Sequence, residues 1–128
     1  MQSPKSRNAL RKVDLCTDVA VMLGQHLGTR SGGYVFQARN GSPIQQSNLL
    51  SRDLHPILEE LGIPKCGFHA FRRFRASHLR KSRIPESLIR FWLGHSTTSI
   101  TDLYDKSCED DTYRQAEAER IGMGFSVD

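Results

Sequence analysis

Long apolar runs are missing from this sequence. No stretch of the 128 residues approaches the ~18 apolar residues that a bilayer-spanning helix needs. The first residues, Met-Gln-Ser-Pro-Lys, also lack the apolar region of a signal peptide. We therefore expect no membrane partner and a cytoplasmic location.

Cysteine is scarce, and its pattern argues against a metal site. The three cysteines, Cys16, Cys66 and Cys108, are an odd number without metal-ligand spacing. They fit buried thiols in a reducing compartment, and no metal or other cofactor is expected. Internal repeats and low-complexity segments are absent, and a chain of 128 residues is predicted to form one domain.

The charge distribution points to a polyanion partner. The net charge is +4, and seven basic residues face two acidic ones from Met1 to Arg52. Between Lys65 and Arg90 there are eight basic residues and one acid, whereas from Asp102 onward the balance reverses to three basic and eight acidic. A basic body with an acidic tail suggests a nucleic-acid face followed by a partner-docking segment.

Periodicity and turn residues predict a mainly α-helical chain with a small β-hairpin or short sheet. The predicted helices are Thr17–His26 with Thr17 as the N-cap, Ser47–Leu61, His69–Ser82, one opened by Pro85 and capped by Gly94, a short one capped by Thr97 or Thr98, and Asp110–Ile121. Alternation predicts a half-buried strand over Leu10–Leu15, and Tyr34–Phe36 reads as a short buried strand. The last helix has few large apolar residues, so we expect it to dock on a surface.

Apolar residues give two of these helices a face for burial. Six of them fall on one stripe of the Ser47–Leu61 helix: Leu49, Leu50, Leu54, Ile57, Leu58 and Leu61. In the His69–Ser82 helix, Phe71, Phe74 and Leu79 are available for burial.

Several residues could act on a phosphate, although each has a plainer explanation when taken alone. His69 and Arg72 share a helix face and could reach one phosphate, but a solvated surface pair looks the same. His95 could equally interact with a helix C-terminus. Tyr104 carries a phenol with a reference pKa of about 10, so it needs activation to be a nucleophile. Lys5 could be a frayed terminal lysine.

Taken together, the spacings are far more specific. H-A-F-R spans His69–Arg72, L-G-H ends 23 residues later at His95, and Tyr104 follows nine residues after that. This combination resembles the catalytic domain of tyrosine recombinases, the phage integrase family. Pro4–Leu15 is similar to the hairpin of that family, in which a lysine precedes a basic strand, and this points to Lys5.

The sequence departs from the family pattern in two ways. Arg73 stands where the family frequently has a histidine. The family's first catalytic arginine lies well upstream of the hairpin lysine, and neither it nor the usual DNA-clamping domain falls within these 128 residues. We therefore expect residues 1–128 to be the carboxy-terminal part of a catalytic domain with the partial DNA breaking-rejoining fold. Residues 107–128 are expected either to dock on a neighbouring protomer or to fold back on their own domain.

The resemblance implies site-specific DNA recombination or integration through a 3′-phosphotyrosyl intermediate, without a metal. It makes Tyr104 the nucleophile, Arg72 the phosphate clamp, His95 a hydrogen-bond donor, His69 a proton carrier and Lys5 the general acid. The implied partners are double-stranded DNA and further copies of the protein, a tetramer on DNA in the full-length form. The resemblance also implies that the cytoplasm is that of a prokaryotic cell, or that the gene belongs to a mobile element. Without the first arginine, the chain alone is expected to be inactive or nearly so.

Three further arginines are candidates for contacts to the DNA backbone. They are Arg73, Arg75 and Arg80, and a solvated basic face explains them equally well. Two other functions stay open at this point. One is a non-catalytic DNA-binding remnant of an integrase, and the other is a type IB topoisomerase-like enzyme.

Overall fold

Residues 12–95 and 106–127 are described by a computed structural model, in which helices are joined by turns. The helices are α1 Thr17–Leu27, α2 Gln46–Leu49, α3 His55–Glu60, α4 His69–Lys81, α5 Glu86–Leu93 and α6 Asp111–Ile121. A π-helical turn, Leu50–Leu54, joins α2 to α3, and a 3₁₀ turn, Ser107–Glu109, precedes α6. None of the helices in this part of the chain has the length and apolar character needed to cross a membrane. The short helix predicted after Thr97 or Thr98 lies outside the described residues.

The hydrophobic core lies where α4, α5 and α6 meet. Its buried members are Leu79 of α4, Ile84 before α5, Leu88, Ile89, Trp92 and Leu93 of α5, and Ala118 and Ile121 of α6. Helix α5 contributes most because apolar residues at positions three and four apart place one wide face toward its neighbours. The expectation that the last helix docks only on a surface is wrong, because the small side chain of Ala118 is 1% exposed in the core.

The predicted β part of the fold class is wrong. The chain was expected to be mainly α with a small β-hairpin or short sheet, but residues 12–95 and 106–127 contain no strand and no sheet. In these residues, Gln37 and Pro43 form an isolated antiparallel β-bridge.

Two side chains, one from the end of α1 and one from the turn after it, explain why the Tyr34–Phe36 segment is not a strand. Arg30 donates to the carbonyl oxygens of Tyr34 and Val35, at 3.1 Å each. The ring nitrogen Nε2 of His26 lies 2.9 Å from the same Val35 oxygen. These carbonyls are therefore satisfied by side chains rather than by a neighbouring strand. The segment is also exposed rather than buried, with Phe36 56% accessible.

The predicted strand Leu10–Leu15 is described only from residue 12 onward, and residues 12–15 are not a strand. The Asp14 carboxylate accepts hydrogen bonds from Nε1 of Trp92, at 2.7 Å, and from Nε of Arg114, at 2.9 Å. Side chains of α5 and α6 thus hold this segment across the two helices. Alternation of apolar and polar residues fits such a crossing segment as well as it fits a strand.

The predicted Ser47–Leu61 helix is interrupted at its centre. Pro56 has no N–H, and its ring collides with the carbonyl four residues earlier. The preceding turn widens into the π-helical turn, in which the His55 N–H bonds to the Leu50 oxygen five residues back. Of the six residues predicted on one stripe, Leu58 is buried, whereas Ile57 and Leu61 are 53% and 65% exposed.

The burial predicted for α4 is also only partly observed. Leu79 is buried, while Phe71 and Phe74 are exposed.

Arg114 of α6 is a buried charged residue, with 3% of its surface exposed. Its guanidinium donates from Nε to Asp14, from Nη1 to the Cys108 carbonyl at 2.5 Å, and from Nη2 to Asp111. Its central carbon lies 4.9 Å from the centroid of the Phe91 ring. Desolvation lowers the pKa of Arg114, but hydrogen bonds and charges from Asp14 and Asp111 outweigh it and raise that pKa.

Helix α6 also binds the amino terminus of α1. The Glu119 carboxylate accepts hydrogen bonds from the backbone N–H of Thr17, at 2.8 Å, and from its hydroxyl, at 2.9 Å. Thr17 was predicted to be the N-cap, but it is the first residue of the helix. The N-cap is Cys16, whose side chain forms no capping hydrogen bond. A carboxylate at this position satisfies an unpaired N–H and opposes the positive end of the helix dipole.

The chain after α6 folds back over α4. Nη1 of Arg75 donates to the Gly122 carbonyl at 2.6 Å. The Phe125 ring packs edge-on against Phe74, with centroids 6.0 Å apart. These contacts place residues 122–127 on their own domain, and a protomer-docking role for 107–128 stays a prediction.

Leu88→Ala tests the position of the core. Leu88 is 0% exposed, so we expect the free energy of unfolding to fall by about 2–5 kcal/mol. Leu61→Ala makes the same chemical change at a 65% exposed residue, where the expected loss is at most ~0.5 kcal/mol. Urea denaturation followed by Trp92 fluorescence measures both values. If the two variants lose equal amounts of unfolding free energy, Leu88 does not lie in the core.

Candidate active site

Helix α4 presents His69 and Arg72 on one face, because residues three apart on a helix are neighbours. His69 is the first residue of the helix and is exposed, whereas Arg72 is half-buried. Nη2 of Arg72 donates a hydrogen bond to the carbonyl of Leu93, at the end of α5. A guanidinium has five N–H groups, so this bond directs the side chain and leaves other donors for a ligand.

The end of α5 directs His95. Gly94 adopts a left-handed conformation with φ 75°, which a glycine reaches without strain. The N–H groups of Gly94 and His95 both bond to the Arg90 carbonyl, at 2.8 and 3.0 Å. These bonds fix the backbone of His95, whose side chain is exposed.

The bond between Arg72 and Leu93 brings the two elements together. It joins the α4 face that carries His69 to a carbonyl two residues before His95. The Arg72 guanidinium thus connects two elements that each carry an exposed imidazole. His69 lies on α4, and His95 follows the end of α5. Such a set suits an oxyanion, because the guanidinium supplies paired donors and each imidazole can donate or transfer a proton.

Tyr104 and Lys5, the other two predicted site residues, lie outside the described residues. The described chain resumes at Lys106, two residues after Tyr104, and it begins at Lys12, seven residues after Lys5. The roles of these two residues therefore stay predictions.

Comparison with known proteins identifies the relatives of this chain. The Phage integrase family matches residues 3–110. The chain belongs to this family. A curated protein named tyrosine recombinase XerC-like, from Caldanaerobacter subterraneus subsp. tengcongensis, is 33% identical over an alignment 115 residues long. The match covers 78% of this chain and 29% of the relative. The chain thus spans less than a third of that relative's length. No solved structure matches the chain.

The three arginines predicted to contact DNA differ in what surrounds them in this integrase-family chain. Arg73 is exposed, and its guanidinium forms no hydrogen bond or ion pair with the other described residues. Arg75 is engaged with the Gly122 carbonyl, and desolvation by burial lowers its pKa. Arg80 pairs with Glu86 at 2.9 Å, and this hydrogen bond raises the pKa of Arg80. Arg73 is therefore the most accessible of the three to a phosphate, and all three remain predictions.

Sequence reasoning missed the contacts of Asp14, Trp92 and Arg114. Asp14 lies in a segment predicted as a strand, and Arg114 lies in a helix expected at the surface. The available signal was the pair of Asp111 and Arg114, three residues apart on a helix. Acidic and basic residues three apart also pair on exposed helices, so the pair alone does not indicate burial.

The structure predicts that Arg75 contributes more than Arg73 to the free energy of unfolding. Arg75→Gln removes a charged, partly buried donor from the Gly122 carbonyl, so the free energy of unfolding is expected to fall by about 1–3 kcal/mol. Arg73→Gln makes the same change at an exposed position, with an expected effect within ~0.5 kcal/mol. Urea denaturation of both variants gives the comparison. If Arg73→Gln lowers the free energy of unfolding more than Arg75→Gln does, the bond between Arg75 and Gly122 does not have the expected role.

Proposed function

We propose that this chain carries the phosphate-binding and nucleophile-bearing part of a tyrosine recombinase. The proposed reaction is site-specific recombination or integration of double-stranded DNA, and the working assembly of the full-length protein is a homo-oligomer, a tetramer on DNA. The observation that supports it most is the hydrogen bond between Arg72 and Leu93. It joins the elements of His69 and His95 at one guanidinium, as binding of a single phosphate requires.

Cleavage proceeds by attack of the Tyr104 phenol oxygen on the scissile phosphorus. A P–O bond to tyrosine forms and the bond to the 5′-oxygen of DNA breaks, which leaves a 3′-phosphotyrosyl link and a free 5′-hydroxyl. The phenol proton passes to His69, and Lys5 supplies the proton that the leaving oxygen takes up. Rejoining is the reverse reaction, in which a 5′-hydroxyl attacks the phosphotyrosyl link.

Stabilisation of the transition state falls to Arg72 and His95. Negative charge spreads over the oxygens of the pentavalent phosphorus, and fixed donors are most effective where charge develops. Arg72 contacts two of these oxygens and His95 donates to one of them. The family's first arginine has no counterpart in the motifs of these 128 residues. Loss of one such donor costs about 10²–10³ in rate, so these residues alone are expected to cleave DNA slowly or not at all.

Covalent trapping tests this proposal. The probe is a pool of nicked duplexes with randomised sequence around the nick, and the product is a covalent protein–DNA adduct on a denaturing gel. We expect the 128-residue chain alone to form adduct at least about 10²-fold more slowly than a mixture that also contains the upstream part of a family member. Tyr104→Phe is expected to abolish the adduct, because it removes the nucleophilic oxygen.

Tyr34→Phe is the matched control, since Tyr34 lies on an exposed segment beside α1 and has no proposed role. Rapid trapping by the chain alone, lost in Tyr104→Phe, contradicts the expected inactivity. If no adduct forms even with the upstream part, the catalytic proposal is wrong, and DNA binding in that case supports a non-catalytic remnant.

A further inference from the structure

The turn that follows α4 places an arginine where an L side chain is strained. The Arg83 N–H bonds to the Arg80 carbonyl at 3.0 Å. The Ile84 N–H bonds to the Leu79 carbonyl at 3.1 Å. This pair of bonds is the Schellman ending of a helix, in which glycine is usual at the position that Arg83 occupies. Arg83 has φ 60°, and every other described residue with a positive φ is a glycine.

The side chain of Arg83 does not compensate for this strain within the described chain. In the left-handed region the Cβ atom crowds the following carbonyl oxygen, which lowers the folding equilibrium constant about 5- to 30-fold. Arg83 is exposed, and its guanidinium forms no hydrogen bond or ion pair with the other described residues. Glu86, the one acid between Lys65 and Arg90, pairs with Arg80 instead, at 2.9 Å. Strain that the fold does not use is typical of functional positions.

The backbone on both sides of Arg83 is held by the core. Leu79 and Ile84 are 0% and 5% exposed and belong to the same hydrophobic cluster. Nη2 of Arg120, in α6, donates to the Ser82 carbonyl at 3.0 Å. The exposed guanidinium is therefore carried on a fixed turn. Less conformational freedom is lost when such a preorganised group binds a ligand.

The surroundings of Arg83 suit an anion, and a phosphate diester suits a guanidinium best. Lys81 is also exposed, and its ammonium group bonds to none of the other described residues. A guanidinium can donate to two phosphate oxygens at once, and such groups make many of the contacts to a DNA backbone. From Arg72 to Lys81, α4 rises ~14 Å, which is about the axial length of four base pairs. One duplex can therefore reach both ends of α4.

We propose that Arg83 is a contact to the DNA backbone, at a phosphate other than the one held at Arg72. This inference rests on the proposed function, because it takes double-stranded DNA as the partner. Arg75 and Arg80, two of the backbone candidates from the sequence, are engaged within the fold, whereas Arg83 is not. A phosphate contact carries no sequence information, so Arg83 increases the affinity for all duplexes alike.

Arg83→Gln and Arg52→Gln test the inference as a matched pair. Arg52 lies in the π-helical turn, is exposed like Arg83, bonds through its guanidinium to none of the other described residues and has no proposed role. Binding of the 128-residue chain to a fluorescent duplex of randomised sequence is measured by anisotropy over a series of KCl concentrations. We expect Arg83→Gln to weaken binding about 3- to 10-fold at low salt, and to reduce the slope of log K against log[KCl] by about 1. Arg52→Gln is expected to stay within about twofold, because salt screens a charge that lies away from the DNA.

Arg83→Gly separates binding from folding. It removes the strain together with the charge, so DNA binding is expected to weaken as in Arg83→Gln while the urea midpoint of denaturation rises. The unfolding equilibrium constant is expected to fall about 2- to 5-fold, since the greater freedom of glycine in the unfolded chain offsets part of the relieved strain. A side chain that supported the fold would give the opposite change in stability.

Three results overturn the inference alone. Equal losses of affinity in Arg83→Gln and Arg52→Gln show an effect of net charge only. A lower urea midpoint in Arg83→Gly shows that the side chain supports the fold. Unchanged DNA binding with a changed sedimentation coefficient in Arg83→Gln assigns the side chain to a contact between copies of the chain.

The proposed function fails in a different way. A parent chain that binds no duplex overturns both the DNA partner and the role of Arg83. A parent chain that binds duplex but forms no adduct, even with the upstream part of a family member, overturns the proposed catalysis, and a weaker Arg83→Gln complex still supports the backbone contact.

Discussion

A buried guanidinium fixes how the segments of this chain meet. Arg114 is 3% exposed and is compensated by the carboxylates of Asp14 and Asp111. Leaving such a charge without its partners is far more costly than leaving an exposed one unpaired, because water cannot replace them. The packing of α5 against α6 depends on this compensation. Arg72 bonds to the end of α5, the same helix whose Trp92 shares the Asp14 carboxylate with Arg114.

The chain is packed unevenly, and the site lies on its packed part. The core is formed by α4, α5 and α6, whereas α1 contributes no buried residue. Apolar side chains of the first half, such as Val21 and Ile57, are 52% and 53% exposed. A phosphate clamp needs donors that do not reorganise during the reaction. The contact between α4 and α5 provides that rigidity for Arg72 and for the turn before His95.

Local signals in the sequence predicted helices α4 and α6 closely. Helix α4 was predicted as His69–Ser82 and runs over His69–Lys81, and α6 begins at Asp111 after the Asp110 cap. Periodicity and caps are properties of neighbouring residues, so they can be read without knowledge of the fold. The motif spacing between His69 and Tyr104 likewise predicted the integrase family, which the comparison with known proteins confirmed.

Long-range partners could not be read in the same way. Asp14 stands in an alternating segment, and alternation does not show whether a strand or a pair of helices lies opposite. Burial of Arg114 depends on groups up to 100 residues away in the chain, among them Asp14. The side-chain bonds from Arg30 to Tyr34 and Val35 are local, but propensity favours a strand for those residues and the competing donors decide otherwise.

NMR of the imidazole groups can show whether His69, Arg72 and His95 bind one phosphate together. A ¹⁵N-histidine-labelled chain is titrated with a nicked DNA duplex, with His26 and His55 as references. If they do, the ring signals of His69 and His95 shift together, with one midpoint, while those of the references stay in place. DNA binding that shifts only one of the two signals, or neither, contradicts a shared phosphate site.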